Sequence, residues 1–190
     1  MARDITEAPC ILIDTNVWLD MYIPNREGAD DAIRLIDIAR ELSASLAFAS
    51  HTCLDVFQKV SFEQKAWVRK QGVLTEKWAT AIKRYAWDCI NDMQEIATAI
   101  PVDSNDLYLA CRYRDQHDDL EDDLILAACK RAQANYLVTN DKKLLAHAPI
   151  EAVTASEMTR LLKAGLAKTS PVPAASRDAT YWMYQWLRKS

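Results

Sequence analysis

Glycine is scarce in this 190-residue chain, which holds three: Gly28, Gly72 and Gly165. That scarcity removes whole classes of chemistry. Neither GxGxxG nor GxxxxGK[ST] can be written, so there is no glycine-rich loop to cradle a dinucleotide or nucleoside triphosphate. GxSxG is missing too, and with it the sharp turn that presents a serine nucleophile. The five cysteines (Cys10, Cys53, Cys89, Cys111, Cys129) are odd in number and include no CxxC pair. Such spacing suits buried thiols in a reducing compartment rather than a disulfide framework or zinc site. His51, His117 and His147 lack the HExxH spacing of a zinc hydrolase. No apolar run approaches the roughly 20 residues of a membrane span. The opening "MARDITEAP" carries early acids and no apolar signal core. A cytoplasmic protein with no membrane partner is the expectation. Excess basic charge is also lacking, since the net charge is −4. That argues against a broad basic stripe for nucleic acid but leaves room for a local phosphate-handling site.

What the chain does contain is alternation of short apolar runs with helical periodicity. "CILID" (10–14), "LAFAS" (46–50) and "YLVTND" (136–141) read as buried strands, with a fourth near 151–154. Helices are expected over 29–45, with Ile33, Ile36, Ala39 and Leu42 as the apolar stripe, and over about 52–60. The clearest amphipathic segment is 75–98, where Trp78, Ile82, Tyr85, Cys89, Met93 and Ile96 recur at three and four residues before Pro101. Further helices are expected over 104–114, 122–134 and 156–164. Strands alternating with helices imply an α/β fold with a mostly parallel sheet sandwiched by helices. The expected organisation is a domain over 1–164, a Pro/Ala/Ser-rich linker over 165–178, and a short aromatic C-terminal helical tail over 179–190.

Two of the strands end in an acid, Asp14 and Asp141. In an open parallel sheet, ligands bind beyond the carboxyl ends of the strands. Asp122 and Asp123 open the helix that leads into the strand ending at Asp141, so that helix N-terminus falls at the same edge. Adjacent helical residues point about 100° apart, so both cannot face the site equally. Crowded carboxylates repel unless protons or a cation intervene. Hard divalent cations with oxygen ligands relieve this, and Mg²⁺ needs only a few carboxylates plus water.

At this point "ILIDTNVWLD", "EDDLILAACKRAQANYLVTNDKKLL" and the spacing between them resemble the PIN-domain nucleases, especially the VapC-type toxin ribonucleases. The resemblance spans about residues 10–163. It implies a Rossmann-like α/β/α sandwich and an acidic cluster holding Mg²⁺ or Mn²⁺. It also implies hydrolysis of RNA phosphodiester bonds, an antitoxin protein as a possible partner, and a possible homodimer. Carried over by position, Asp14, Asp122 and Asp141 match the family's metal-binding acids, and Asp55 is the nearest match to its second acid. Under the same resemblance Thr15, Asn16, Thr139 and Asn140 would hold waters or a substrate phosphate, and Lys142 and Lys143 would contact RNA backbone.

Plainer roles exist for each residue. An Asp after a strand is commonly a helix N-cap, and an Asp in a first helical turn is favoured by the macrodipole. By themselves Lys142 and Lys143 read more readily as a solvated turn than as an RNA contact. The run "DQHDDLEDD" (115–123) reads as a solvated connection. The alternative to an RNA hydrolase is a PIN-like binding module that has lost catalysis and uses its aromatic helices to hold a protein.

Overall fold

The computed structural model describes residues 8–117, 119–165 and 167. The elements run β1 (Cys10–Ile13), α1 (Thr15–Tyr22), α2 (Ala29–Glu41), β2 (Ser45–Ala49), α3 (Thr52–Gln71), α4 (Glu76–Ile96) and β3 (Thr98–Ile100). There follow α5 (Ser104–His117), α6 (Leu120–Ala132), β4 (Tyr136–Val138), α7 (Lys142–His147), β5 (Ala152–Val153) and α8 (Ala155–Lys163). Five parallel strands lie in the order β3-β2-β1-β4-β5. β1 is central: Ile11 pairs with Leu46 on one side and Tyr136 on the other.

A central parallel strand is covered on both faces, so it is apolar at consecutive positions, and its two-residue period sends alternate side chains into different layers. Ile11 and Ile13 enter one core with Leu46, Phe48, Tyr136 and Val138, against residues of α1, α2, α3, α4 and α8. Leu12, Ala49 and Leu137 enter the other, with Ile125 and Leu126 of α6 and Leu144 of α7. Successive connections run outward from β1 through β2 to β3, and the chain then returns to place β4 on the opposite side of β1. The point where strand order reverses therefore lies between β1 and β4, and a crevice opens there at the carboxyl edge.

Ion pairing secures the helix that faces this edge. Arg131 near the end of α6 binds Asp106 of α5 through Nη2 at 2.8 Å and Nε at 2.9 Å. It also reaches Asp103 just before α5 at 2.6 Å. Asp106 is buried, and a buried carboxylate needs such a partner.

The structure departs from the sequence expectations in several places. A helix, α1, starts immediately after Asp14, in a stretch to which periodicity assigned nothing. α3 extends to Gln71, well beyond residue 60, and forms with α4 a long helical hairpin. The end of the 75–98 segment leaves the helix at Ala97 to form β3, since edge pairing with β2 satisfies its backbone. The α2 stripe is Ala32, Leu35, Ile36 and Ala39; Ile33 and Leu42 are exposed. On α4, Ile82, Ala86, Cys89, Ile90 and Met93 are buried, while Trp78 stays 50% exposed and Tyr85 39%. Both departures rotate the buried face toward smaller side chains, which permit closer packing. The expected tail at 179–190 and nearly all of the expected linker lie outside the described residues.

Candidate active site at the carboxyl edge of the sheet

Asp14 leaves β1 with its N–H bonded to the Val138 carbonyl at 3.0 Å, which pins it to the β4 side of the crevice. Its residue surface is 3% exposed. Although it occupies the N-cap position of α1, its side chain makes no capping bond, so the plain capping role is not realised. Its Oδ2 instead accepts from Thr139 Oγ1 at 2.6 Å and from Asn16 Nδ2 at 2.5 Å. Burial drives the Asp14 carboxyl up to about 7. The Thr139 hydroxyl opposes that rise, and the nearby carboxylates of Asp122 and Glu121 add to it.

Thr139 follows β4 and is fully buried. Besides donating to Asp14, its Oγ1 accepts from Asn16 Nδ2 at 3.1 Å and from the Asp141 N–H at 2.9 Å. One hydroxyl thus ties the ends of β1 and β4 to the start of α7. Asn16 Oδ1 accepts the Asn140 N–H at 3.0 Å, and Asn140 Nδ2 donates to Asp20 Oδ2 at 2.7 Å. Asn16, Thr139 and Asn140 are therefore gathered around Asp14. Thr15 is not: its hydroxyl turns to Thr52 of α3 at 3.4 Å.

Asp141 stands at the same edge but directs Oδ1 to the Lys143 and Leu144 N–H groups, at 2.7 and 3.1 Å, as the cap of α7. Lys142 and Lys143 lie exposed on the first turn of that helix. On α6, Asp119 caps the helix through the Glu121 and Asp122 N–H groups. This sets Asp122 half-buried with its charge felt at Asp14, whereas Asp123 turns inward and is buried. The two neighbours diverge, as helix geometry requires.

Sequence reasoning passed over Glu121 and His51. Glu121 acts on Asp14, Asp55 and His51, and pairs with Lys59 of α3 at 3.3 Å. Asp55, in the first turn of α3, is raised first by burial and then by Glu121, with Lys59 and His51 opposing. Glu121 is therefore the neighbour through which Asp55 joins the cluster. His51 is lowered by burial, against the pull of Asp55 and Glu121. The signal for Glu121 was present in the acidic run at 115–123, but the run alone does not say which member faces inward.

Among the described residues no three His, Cys, Asp or Glu side chains stand close enough together to enclose a metal ion. A divalent ion that keeps several waters needs fewer than that. The donors on offer are carboxylate oxygens, and the strain at Asp14 is of the sign a cation relieves. A carboxylate there is disfavoured by burial and by two like charges, and a bound cation would invert that balance. Asp14 and Asp122, whose charge is felt at Asp14, offer oxygen donors of the type a hard divalent ion takes.

The fold and this acid-lined crevice define a class, and the sequence pattern of the PIN domain family matches residues 10–143. The chain belongs to the PIN domain family. Among solved structures, VapBC2 from Rickettsia felis, bound to a DNA fragment from its promoter, is 13% identical with a TM-score of 0.53. The alignment covers 76% of this chain and 98% of that one. VapC20 from Mycobacterium tuberculosis, a toxin that cleaves the sarcin-ricin loop, is 14% identical with a TM-score of 0.52, over 74% of this chain and 97% of that one. At these identities the likeness is one of fold. No curated protein sequence matches. No helix of the described residues is long and apolar enough to cross a membrane.

Proposed function

We propose that this protein is a Mg²⁺- or Mn²⁺-dependent endoribonuclease of the toxin type. The observation that carries the reading is the state of Asp14: a buried carboxyl at the strand-order reversal, pushed up to about 7 and facing the carboxylates of Asp122 and Glu121. Membership of the PIN domain family and the fold shared with two VapC-containing structures support the same chemistry. Asp14 and Asp122 would hold the ion, with Asp141 at the rim and Asp55 reached through Glu121. When bound, such an ion polarises a phosphoryl oxygen and brings a water near its ionisation range at neutral pH. The chain's own part is positional. Thr139 and Asn16 hold Oδ2 of Asp14. Asn140 and the exposed Lys142 and Lys143 stand where a phosphate backbone would pass.

A second reading, a binding module without catalysis, rests on the aromatic surface of α3 and α4. The exposed Phe62, Trp67, Trp78 and Trp87 on α3 and α4 suit a protein partner, an antitoxin or a second copy, under either reading. RNA cleavage with Mg²⁺ or Mn²⁺, compared with chelator and with Asp14→Asn, separates the two. Loss of cleavage in both controls is expected. Equal cleavage in Asp14→Asn sinks the nuclease reading. Arrest of growth on expression alone, relieved by a co-expressed neighbouring open reading frame, tests the toxin assignment.

A further inference from the structure

We propose that Arg26, in the loop joining α1 to α2, is a substrate-phosphate contact of this site, aimed by Asp20; the inference rests on the ribonuclease reading above. Asp20 lies on α1, and its side chain is 8% exposed. It divides its two oxygens between different elements. Oδ2 takes the Asn140 amide at 2.7 Å, and Oδ1 takes Arg26 Nε at 2.5 Å. Arg26 is thereby placed one carboxylate away from Asn140. Asn140 in turn bonds Asn16, which bonds Asp14. The relay Arg26–Asp20–Asn140–Asn16–Asp14 runs along the carboxyl edge of the sheet.

The loop is shaped for this arrangement. A Cβ on Gly28 would lie 2.2 Å from Asp20 Oδ2 and 3.2 Å from Asn140 Nδ2, so a side chain at 28 would displace the carboxylate that aims the arginine. Among the described residues Arg26 has no second acidic partner, and its side chain is 37% exposed. Its ion pair uses Nε, which leaves the Nη end of the fork for another oxyanion. Bidentate capture of a phosphate is what that end does well.

Charge supplies the reason such a contact is needed. The charges of Asp122 and Glu121 are felt at Asp14, and that of Glu121 at Asp55, and a polyanion approaching such carboxylates is repelled. Lys59 is already paired with Glu121, and Lys142 and Lys143 are exposed on flexible stems. Arg26 is a cation at this edge whose orientation a buried carboxylate sets. The competing explanation is purely structural, with Arg26 serving to neutralise buried Asp20.

The experiment uses the full chain carrying Asp14→Asn in chelator, with a single-stranded RNA oligonucleotide, and follows affinity against salt concentration. Arg26→Gln keeps an amide donor for Asp20 but no charge, and Arg26→Lys keeps the charge without the fork. The Arg26→Gln slope of log Kobs against log salt should be shallower by about 0.7, the value of one lost phosphate contact on a single strand. Arg26→Lys should keep the slope with weaker binding. In the cleaving protein, Arg26→Gln should raise KM while kcat stays within about twofold, as loss of uniform binding predicts. Unchanged affinity and slope in Arg26→Gln, with RNA still bound by the parent, overturns the assignment and leaves Arg26 a partner of Asp20 alone. A parent that binds no RNA removes the ribonuclease reading and this inference together.

Discussion

Thr139 Oγ1 donates to Asp14 Oδ2 across 2.6 Å, joining residues 125 positions apart in the chain. The bond closes the seam between the two strands at which strand order reverses, and most of what this site does follows from it. The Thr139 hydroxyl is a principal influence favouring the charged form of Asp14 against burial and the charges of Asp122 and Glu121.

Thr139→Val removes that hydroxyl, and the change is not isosteric in hydrogen bonding. Asp14 Oδ2, Asn16 Nδ2 and the Asp141 N–H each lose a bond. Denaturant unfolding should show a loss of about 1–3 kcal/mol, the cost of unsatisfied buried polar groups. The ionisation of Asp14, followed by NMR of its carboxyl carbon, should move still higher.

Stability without metal should fall as pH rises. The Asp14 carboxyl ionises near 3.8 in an unfolded chain and near 7 in the fold. Between those values the native state holds a proton that the unfolded state has released, so unfolding becomes easier with each step up in pH. The loss is complete above about pH 7 and is on the order of a few kcal/mol. Asp14→Asn should flatten this part of the profile and melt higher than the parent at pH 8. Added Mg²⁺ should stabilise the parent at pH 8 more than it stabilises Asp14→Asn. Identical melting profiles for the two proteins would contradict the burial argument.

Gly28→Ala and Gly72→Ala should behave differently. The first puts a methyl group against the Asp20 carboxylate, while the second meets nothing within 4 Å. Overpacking of this kind costs about 1–3 kcal/mol, and an open surface position about 0.5 kcal/mol or less in either direction. Paired urea titrations check the difference.

Thiol labelling should be ordered by burial. Cys111 is exposed. Cys89 is buried and pushed up to about 11, and buried Cys129 is raised further by the same cause. Since the thiolate is the reactive form, iodoacetamide at pH 8 should modify Cys111 in the native protein and reach Cys89 and Cys129 only after denaturant is added.

How much of this was legible in the chain varies by residue. Asp14 and Asp141 declare themselves, because an acid that ends an apolar run has no place in a core and must stand at an edge. That Asp122 and Asp123 cannot share one direction follows from helix geometry, and in the fold Asp122 is half-buried while Asp123 is buried. The exposure of Trp78 was not legible, since periodicity marks an apolar side without showing how much of it a neighbour covers. Glu121 was hidden for a related reason: which member of an acidic run faces inward is decided by where Asp119 caps α6. Asp20 and Arg26 carry no local signal, because their importance comes from a carboxylate shared between a loop and the distant Asn140.

The order of apolar runs and helical segments by itself determined a parallel α/β sandwich, because strands buried on both faces must be continuously apolar and need helical crossovers. It also determined that Asp14 and Asp141 would stand at the carboxyl edge, since that is where their strands end. The tertiary structure alone decided the rest: that Thr139 holds Asp14, that Asp141 spends an oxygen on α7, and that Asp20 pairs with Arg26. Burial and distance across the fold set those relations, and neither is a property of residues adjacent in the chain.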